Sequence, residues 1–324
     1  MIIPTIFLLV TMVFFVMRVV PGDPVVSLMG ARAGSEEQIE IIRHNLGLDK
    51  PIYIQYLIYM SNLIKGDFGY SLVRNSPVIK EILNCFPATF ELTFWSMLFA
   101  TLIGIYLGII SAKREGGIVD SIIRIVMLVR WCIPVFWLGI MLQVFIVLYA
   151  PFFPISGRLS PRIFLDKITG LYLIDSILAG DFVVFFDSIK HLIVPVFTLG
   201  TTMAASLGRL ARANIIEVLG EEYIRTAKLK GCPEKIIFQK HALPNALIPI
   251  LTYAGLQTAM LMGGAILTET TFSWPGLGRL MIFAIGYRDF NLIQGCVVFW
   301  ALIISLMNFI VDILYAVIDP RVRF

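Results

Sequence analysis

Residues 89–110 read TFELTFWSMLFATLIGIYLGII, and Glu91, near the start, is the lone charged side chain in the run. As a helix rising about 1.5 Å per residue it matches a hydrocarbon core about 30 Å thick. Lipid offers backbone amides no partner, so such a run satisfies its own polar groups as a helix. Barrel strands are half as long and alternate in polarity, and this run does neither. Working outward, comparable windows lie at Ile2–Val20, about Trp131–Tyr149, His191–Gly208, Leu247–Leu267 and Leu292 to about Ile318. Only 15% of the 324 residues are charged and 58% are hydrophobic, against about 25% charged in soluble domains. The chain reads as an all-α polytopic membrane protein with about six transmembrane helices.

Six spans place both termini, the 111–130 loop and the 209–241 loop on one side. Arg209, Arg212, Arg225, Lys228, Lys230, Lys235 and Lys240 crowd the second of these loops. Lys113, Arg114, Arg124 and Arg130 lie in or beside the first, with Arg321 and Arg323 at the end. Cytoplasmic loops accumulate lysine and arginine, so this side is assigned to the cytoplasm. Ile2–Val20 lacks a small-residue cleavage site and reads as a retained anchor. The chain divides into residues 1–88, the first span plus an extracytoplasmic segment, and residues 89–324, a core with five spans. PIYIQYLIYMSNLIKG within the segment reads as helix, and GDFGYS as turn. A second outer loop, 150–190, carries aromatic patches.

Several chemistries are excluded. No glycine precedes a lysine, so no phosphate-binding loop exists. There is no HExxH or GxSxG, and His44, His191 and His241 are far apart. The four cysteines have no metal or redox spacing. Glu91 and Arg130 sit at span ends and Asp312 somewhat deeper, which makes no proton relay. Gln143 and Gln257 are polar but uncharged and suit interhelical hydrogen bonds or pathway lining. Gly104 and Gly108 form a GxxxG suited to close helix packing, and Pro134 and Pro195 predict kinks.

Within the cytoplasmic segment 212–245, EYIRTAKLKG at 222–231 combines helix formers with a terminal glycine fit for a left-handed helix stop. Pro233 then opens a second short helix, and Pro244 the fifth span. Tyr223, Ala227 and Lys230 share one face, where a small alanine admits a close neighbour. An amphipathic segment resting on anionic lipid has the same pattern.

EYIRTAKLKG followed by HALPNALIPI resembles the EAA loop of ABC-importer permeases, and more narrowly that of the dipeptide/oligopeptide/nickel permease family. RVVPGDPV, LGLDKPIYIQYLIYMSNLIKGDFGYSL, FPATFELT, SGR at 156–158, HLIVPVFTLG, FSWPGLGRL and DPRVRF each have a counterpart there, so the resemblance covers nearly the whole chain. It differs in beginning almost inside the first span and in having Pro244 where relatives often have arginine.

The resemblance implies a type I importer permease architecture. Glu222, Tyr223, Arg225, Thr226, Ala227, Lys228, Lys230 and Gly231 are then the segment that docks on a cytoplasmic ATPase. It further implies a second, homologous permease, two ABC ATPase subunits and an extracytoplasmic substrate-binding protein, with no nucleic acid. The chain itself is then non-catalytic and holds no cofactor, ATP and magnesium being used by the ATPases. Di- or oligopeptides are the implied cargo, with oligosaccharides or nickel the alternative. Gln257, Thr258 and Met260 are candidate path residues on the fifth span. A secondary transporter or channel, the rival class, predicts an inverted repeat and charged midplane sites, and neither is visible.

Overall fold

The computed structural model of the chain describes residues 2–19, 40, 44, 49–71, 73–263 and 265–318. The PGDP motif, the side chain of Asp312 and the terminal DPRVRF with Arg321 and Arg323 lie outside them.

The opening stretch is the middle of a longer helix, α3 (Val78–Lys113), preceded by α1 (Ile2–Val19) and α2 (Ile52–Ile64). A two-residue hairpin, β1 (Tyr70–Ser71) and β2 (Ser76–Pro77), leads into α3. Then come α4 (Ile118–Cys132), α5 (Val135–Tyr149), α6 (Tyr172–Leu178), α7 (Phe182–Leu219) and α8 (Glu222–Leu229). The next helix, α9 (Glu234–Met262), is followed by α10 (Ile266–Thr271), α11 (Leu277–Gly286) and α12 (Phe290–Ile318).

Among the described residues, α3, α7, α9 and Phe290–Val311 of α12 are long and apolar enough to cross a membrane, and α4 with α5 makes a fifth span if the two are counted as one. α1 is apolar but shorter, so the expected six become four to five by length and composition. The window Trp131–Tyr149 is not one helix: the chain turns by 96° between α4 and α5. Pro134, expected to kink a helix, precedes α5 with φ −58° and ψ 134° and so ends the helical path outright. Arg130 ties this elbow to α7, donating to Ile133 O (3.2 Å), Thr201 Oγ1 (2.7 Å) and Thr198 O (2.7 Å). The fourth span starts at Phe182, nine residues before His191, because Asp181 caps it by accepting from Val183 N and Val184 N. α3 likewise begins at Val78, so residues 88 and 89 are neighbours within one helix. Arg209 and Arg212 lie in α7 and not in a loop.

The centre of the bundle is the α3–α7 pair, which run in the same direction. A Cβ on Gly108 would stand 2.5 Å from Ala211 Cβ, and one on Gly104 would stand 2.9 Å from Ala204 O. The GxxxG therefore brings two backbones together as expected. Gln143 donates from α5 to Ile155 O (2.8 Å) and to Thr271 O of α10 (3.0 Å), a packing role.

One end of the bundle is closed by polar locks. Glu91 pairs with Arg158 of the SGR motif at 2.5 Å, both 5% exposed, and accepts from Leu173 N at 3.0 Å. Arg158 also lies over the Tyr172 ring. FSWPGLGRL forms the corner before α11. Thr89 Oγ1 accepts from Leu277 N and donates to Glu269, whose other oxygen accepts from Arg279 N, so two side chains cap that helix.

Candidate functional site

At the opposite end, α7 stops at Gly220 and α8 starts immediately. Ile224 is the α8 residue that folds inward. It is fully buried with Ile237 and Ala242, and Val218, Leu219, Ala227 and Cys232 pack around them. Burying one such side chain contributes about 1.5–3 kcal/mol, enough to hold two helical turns against the bundle.

The expected glycine stop is present in full. Gly231 has φ +75°, Gly231 N donates to Lys228 O (3.0 Å) and Cys232 N to Ala227 O (3.2 Å). These paired bonds form a Schellman motif, whose apolar contact is supplied by Ala227 and Cys232. The structure thus sets Ala227 half-buried against its own chain's cluster.

Tyr223 forms the second attachment. Its hydroxyl accepts from Asn245 Nδ2 (3.0 Å) and donates to His241 O (3.4 Å). The sequence reading placed a separate short helix after Pro233 and a new one at Pro244. In the structure α9 is continuous from Glu234 through a widened π turn, Ile237–Ala242, to Met262, and Pro233 caps it from outside. A proline at 244 conflicts with regular bonding to residue 240; the π turn immediately before it gives the backbone room. His241 O, in that turn, also accepts from Asn245 Nδ2 at 2.9 Å.

What α8 shows outward is a contiguous face one, three and four residues apart. Glu222 and Arg225 form an exposed ion pair (2.9 Å), and Thr226 Oγ1 donates back to Glu222 O (3.0 Å). Leu229 completes that face and is 89% exposed. Leu229 was missed among the candidates although its spacing of seven from Glu222 puts it on this face. Lys230 is exposed at the helix end. Lys228, a turn after Ile224, instead lines a cleft between α8 and the bundle.

Asp120 anchors the start of α4 to α7. Its carboxylate accepts from Arg212 Nε (2.7 Å) and Nη2 (2.8 Å), Ser111 Oγ (2.5 Å) and Gly116 N (3.0 Å), and it is wholly buried. Part of the basic charge counted in this region is therefore paired within the chain.

The three path candidates all lie on α9. Gln257 Nε2 lies 3.5 Å from Met203 Sδ of α7, Thr258 Oγ1 donates to Ala254 O of its own helix (2.8 Å), and Met260 is 69% exposed.

The binding-protein-dependent transport system inner membrane component family matches residues 104–324, and its N-terminal companion family matches residues 1–93. The dipeptide transport system permease protein DppB of Alkalihalophilus pseudofirmus is 42% identical over 324 residues, covering 100% of this chain and 97% of that one. The di/tripeptide transport system permease protein DppB of Pseudomonas aeruginosa is also 42% identical, covering 100% and 96%. The glutathione transport system permease protein GsiC of Escherichia coli is 38% identical, covering 99% and 96%. Among solved structures, the methionine ABC transporter MetNI in inward-facing form aligns with a TM-score of 0.54 at 16% identity, covering 74% of this chain and 97% of that one, and so shares the fold. The chain belongs to the family of binding-protein-dependent transport system inner membrane components.

Proposed function

We propose that the chain is the non-catalytic membrane subunit of an ATP-driven importer of dipeptides and short oligopeptides. Both termini and α8 face the cytoplasm. The chain pairs with a second, homologous permease above two ABC ATPases that use ATP and magnesium, and an extracytoplasmic binding protein delivers the peptide. The cargo rests on the relatives, which are named as dipeptide, di/tripeptide and glutathione permeases. The docking role rests on one observation, an 89%-exposed leucine on a helix that its own chain holds rigidly. Exposed Glu222, Arg225, Thr226 and Lys230 surround it on the same helix, an apolar centre with a polar rim.

In this reading Leu229 enters the ATPase surface, while Glu222, Arg225, Thr226 and Lys230 supply polar contacts around it. Closure of the ATPases pushes α8. Ile224, Tyr223 and the Gly231 turn pass that displacement to α9, which crosses the membrane. Moving the bundle from nearly all inward-facing to nearly all outward-facing takes about 5.5 kcal/mol of differential binding.

The test is affinity purification in mild detergent of wild type and Leu229→Glu, with copurifying proteins identified. Wild type brings down two ATPases and a second permease, and Leu229→Glu loses the ATPases while keeping the permease. An unchanged set of partners, or wild type emerging alone, overturns the docking assignment.

A further inference from the structure

The sequence places Arg130 at a span end, but the break between α4 and α5 puts it elsewhere. The two helices occupy residues 118–149 between them, and Arg130 lies just before the break, near the middle of that stretch. Its guanidinium donates to Thr198 O, Thr201 Oγ1 and Thr202 Oγ1 of α7, which are central in the apolar run 191–208. Gly200, among them, packs on Ser96 O and the Phe99 ring of α3, and Phe99 is central in the apolar run 89–110. Three spans therefore agree on the depth, and the charge stands near the middle of the hydrocarbon. A charge there is costly, and it marks a site where an opposite charge is met.

This chain supplies no such opposite charge among the described residues. The acceptors of Arg130, Ile133 O included, are all neutral, and no ion pair contains it. They satisfy hydrogen bonds but leave the positive charge in place. Arg130 lines a cavity of about 300 Å³ between α3, α4, α5 and α7, a volume at the small end of ligand sites. Thr201 shares the wall with it, and the remainder is apolar, with Leu107, Val126 and Phe197 among its residues. Leu138 brings the first turn of α5 to the same cavity. No side chain caps that helix, so the positive end of its dipole adds to the charge of Arg130. Helices broken at mid-membrane hold the anionic groups of transported solutes with such N-termini.

The occupant has to carry a small anionic group and gain from apolar walls. Phospholipid headgroups stay at the interface and do not reach this depth. A hydrated inorganic anion gains nothing from Leu107, Val126 or Phe197. A short peptide has a carboxylate at one end and side chains beside it, which matches both halves of the cavity. We propose that Arg130, with Thr201 and the start of α5, receives the C-terminal carboxylate of the peptide during its passage. The inference rests on the peptide-import reading and adds to it the group of the cargo that the membrane subunit recognises.

The experiment measures equilibrium binding of radiolabelled alanyl-alanine to the full chain with its copurifying partners in lipid nanodiscs. Unlabelled alanyl-alanine and its C-terminal amide are the competitors, and no binding protein is added. Wild type is compared with Arg130→Gln, Arg130→Lys and Arg124→Gln, the last an exposed position on the same helix. Wild type is expected to prefer the acid about tenfold, the worth of one charge-assisted hydrogen bond. Arg130→Gln loses the preference, Arg130→Lys keeps part of it as a point charge, and Arg124→Gln keeps all of it. The preference is a ratio within one preparation, so a smaller yield of folded protein does not alter it. Equal affinity of wild type for acid and amide, or no binding of the acid, overturns the proposal. A full preference in Arg130→Gln does the same. Loss of the second permease from the Arg130→Gln complex also overturns it, in favour of a carboxylate of that subunit as the opposite charge. ATP-dependent uptake of the same peptide into vesicles is measured alongside. Uptake without acid preference refutes the carboxylate site alone, whereas absence of uptake refutes the import reading as well.

Discussion

Asp175, in the 150–190 segment, shows how one side chain organises several residues. Its carboxylate accepts from Thr169 N (2.8 Å), Thr169 Oγ1 (2.6 Å), Gly170 N (2.9 Å) and Ile168 N (3.2 Å). Burial pushes this carboxyl up, but the hydrogen bonds outweigh it and hold it below the usual range. A depressed folded pKa contributes stability that is complete above the unfolded value, about 3.9, and is lost as pH falls through the folded value. Asp175→Asn is therefore expected to cost about 1–3 kcal/mol at neutral pH, with the gap to wild type closing under acid. Thermal unfolding across a pH series measures it, and a gap that persists undiminished below pH 3 contradicts the account. The Glu91–Arg158 pair behaves differently, because both partners are buried. Arg158→Ala strands a buried carboxylate and is expected to cost about 3–5 kcal/mol. Arg158→Met with Glu91→Leu regains most of that in the same measurement. Glu91 was read from the sequence as a charge at a span end, whereas its partner, 67 residues away, became visible only in the folded chain.

At the scale of elements, α8 separates two kinds of importance. Ile224→Ala removes the residue that holds α8 down and is expected to cost about 2–5 kcal/mol locally. Hydrogen exchange of α8 amides then rises, whereas Leu229→Glu leaves exchange unchanged and removes partner binding. If both variants speed exchange equally, Leu229 is structural and the docking face has been misplaced. Gly231→Ala meets no atom within 4 Å at the new Cβ, so its cost is the left-handed backbone alone, about 1–2 kcal/mol. The α3–α7 contact is less tolerant. Gly108→Leu forces side-chain atoms into Ala211 and the Gly208 carbonyl, and is expected to lower the unfolding temperature and the yield of folded protein together. The helix stop at Gly231 was legible beforehand because its chemistry is local. The 96° elbow at Ile133–Pro134 was underestimated as a kink because its angle depends on Arg130 reaching α7.

For the whole molecule, α3 and α7 running in parallel put the ends of both helices at one pole, beside α8 and the start of α9. The opposite pole is closed by Glu91–Arg158 and by the capped corner before α11. A displacement at α8 thus enters a bundle whose far end is held by separate polar locks. The sequence alone determined the membrane class, the helical content, the side on which basic charge gathers, the glycine stop and, by resemblance, the family. These follow from composition and from neighbours in the chain, since transfer into lipid and helix capping act over one or a few turns. Tertiary structure decided which α8 residues face outward, that Ala227 and Lys228 turn toward the bundle, that α9 runs unbroken past Pro244, and which buried charges meet. Most of those outcomes depend on contacts beyond the local turn, such as Ile224 with Ile237 and Ala242, Glu91 with Arg158 and Asp120 with Arg212, and such contacts are defined only once the helices have packed.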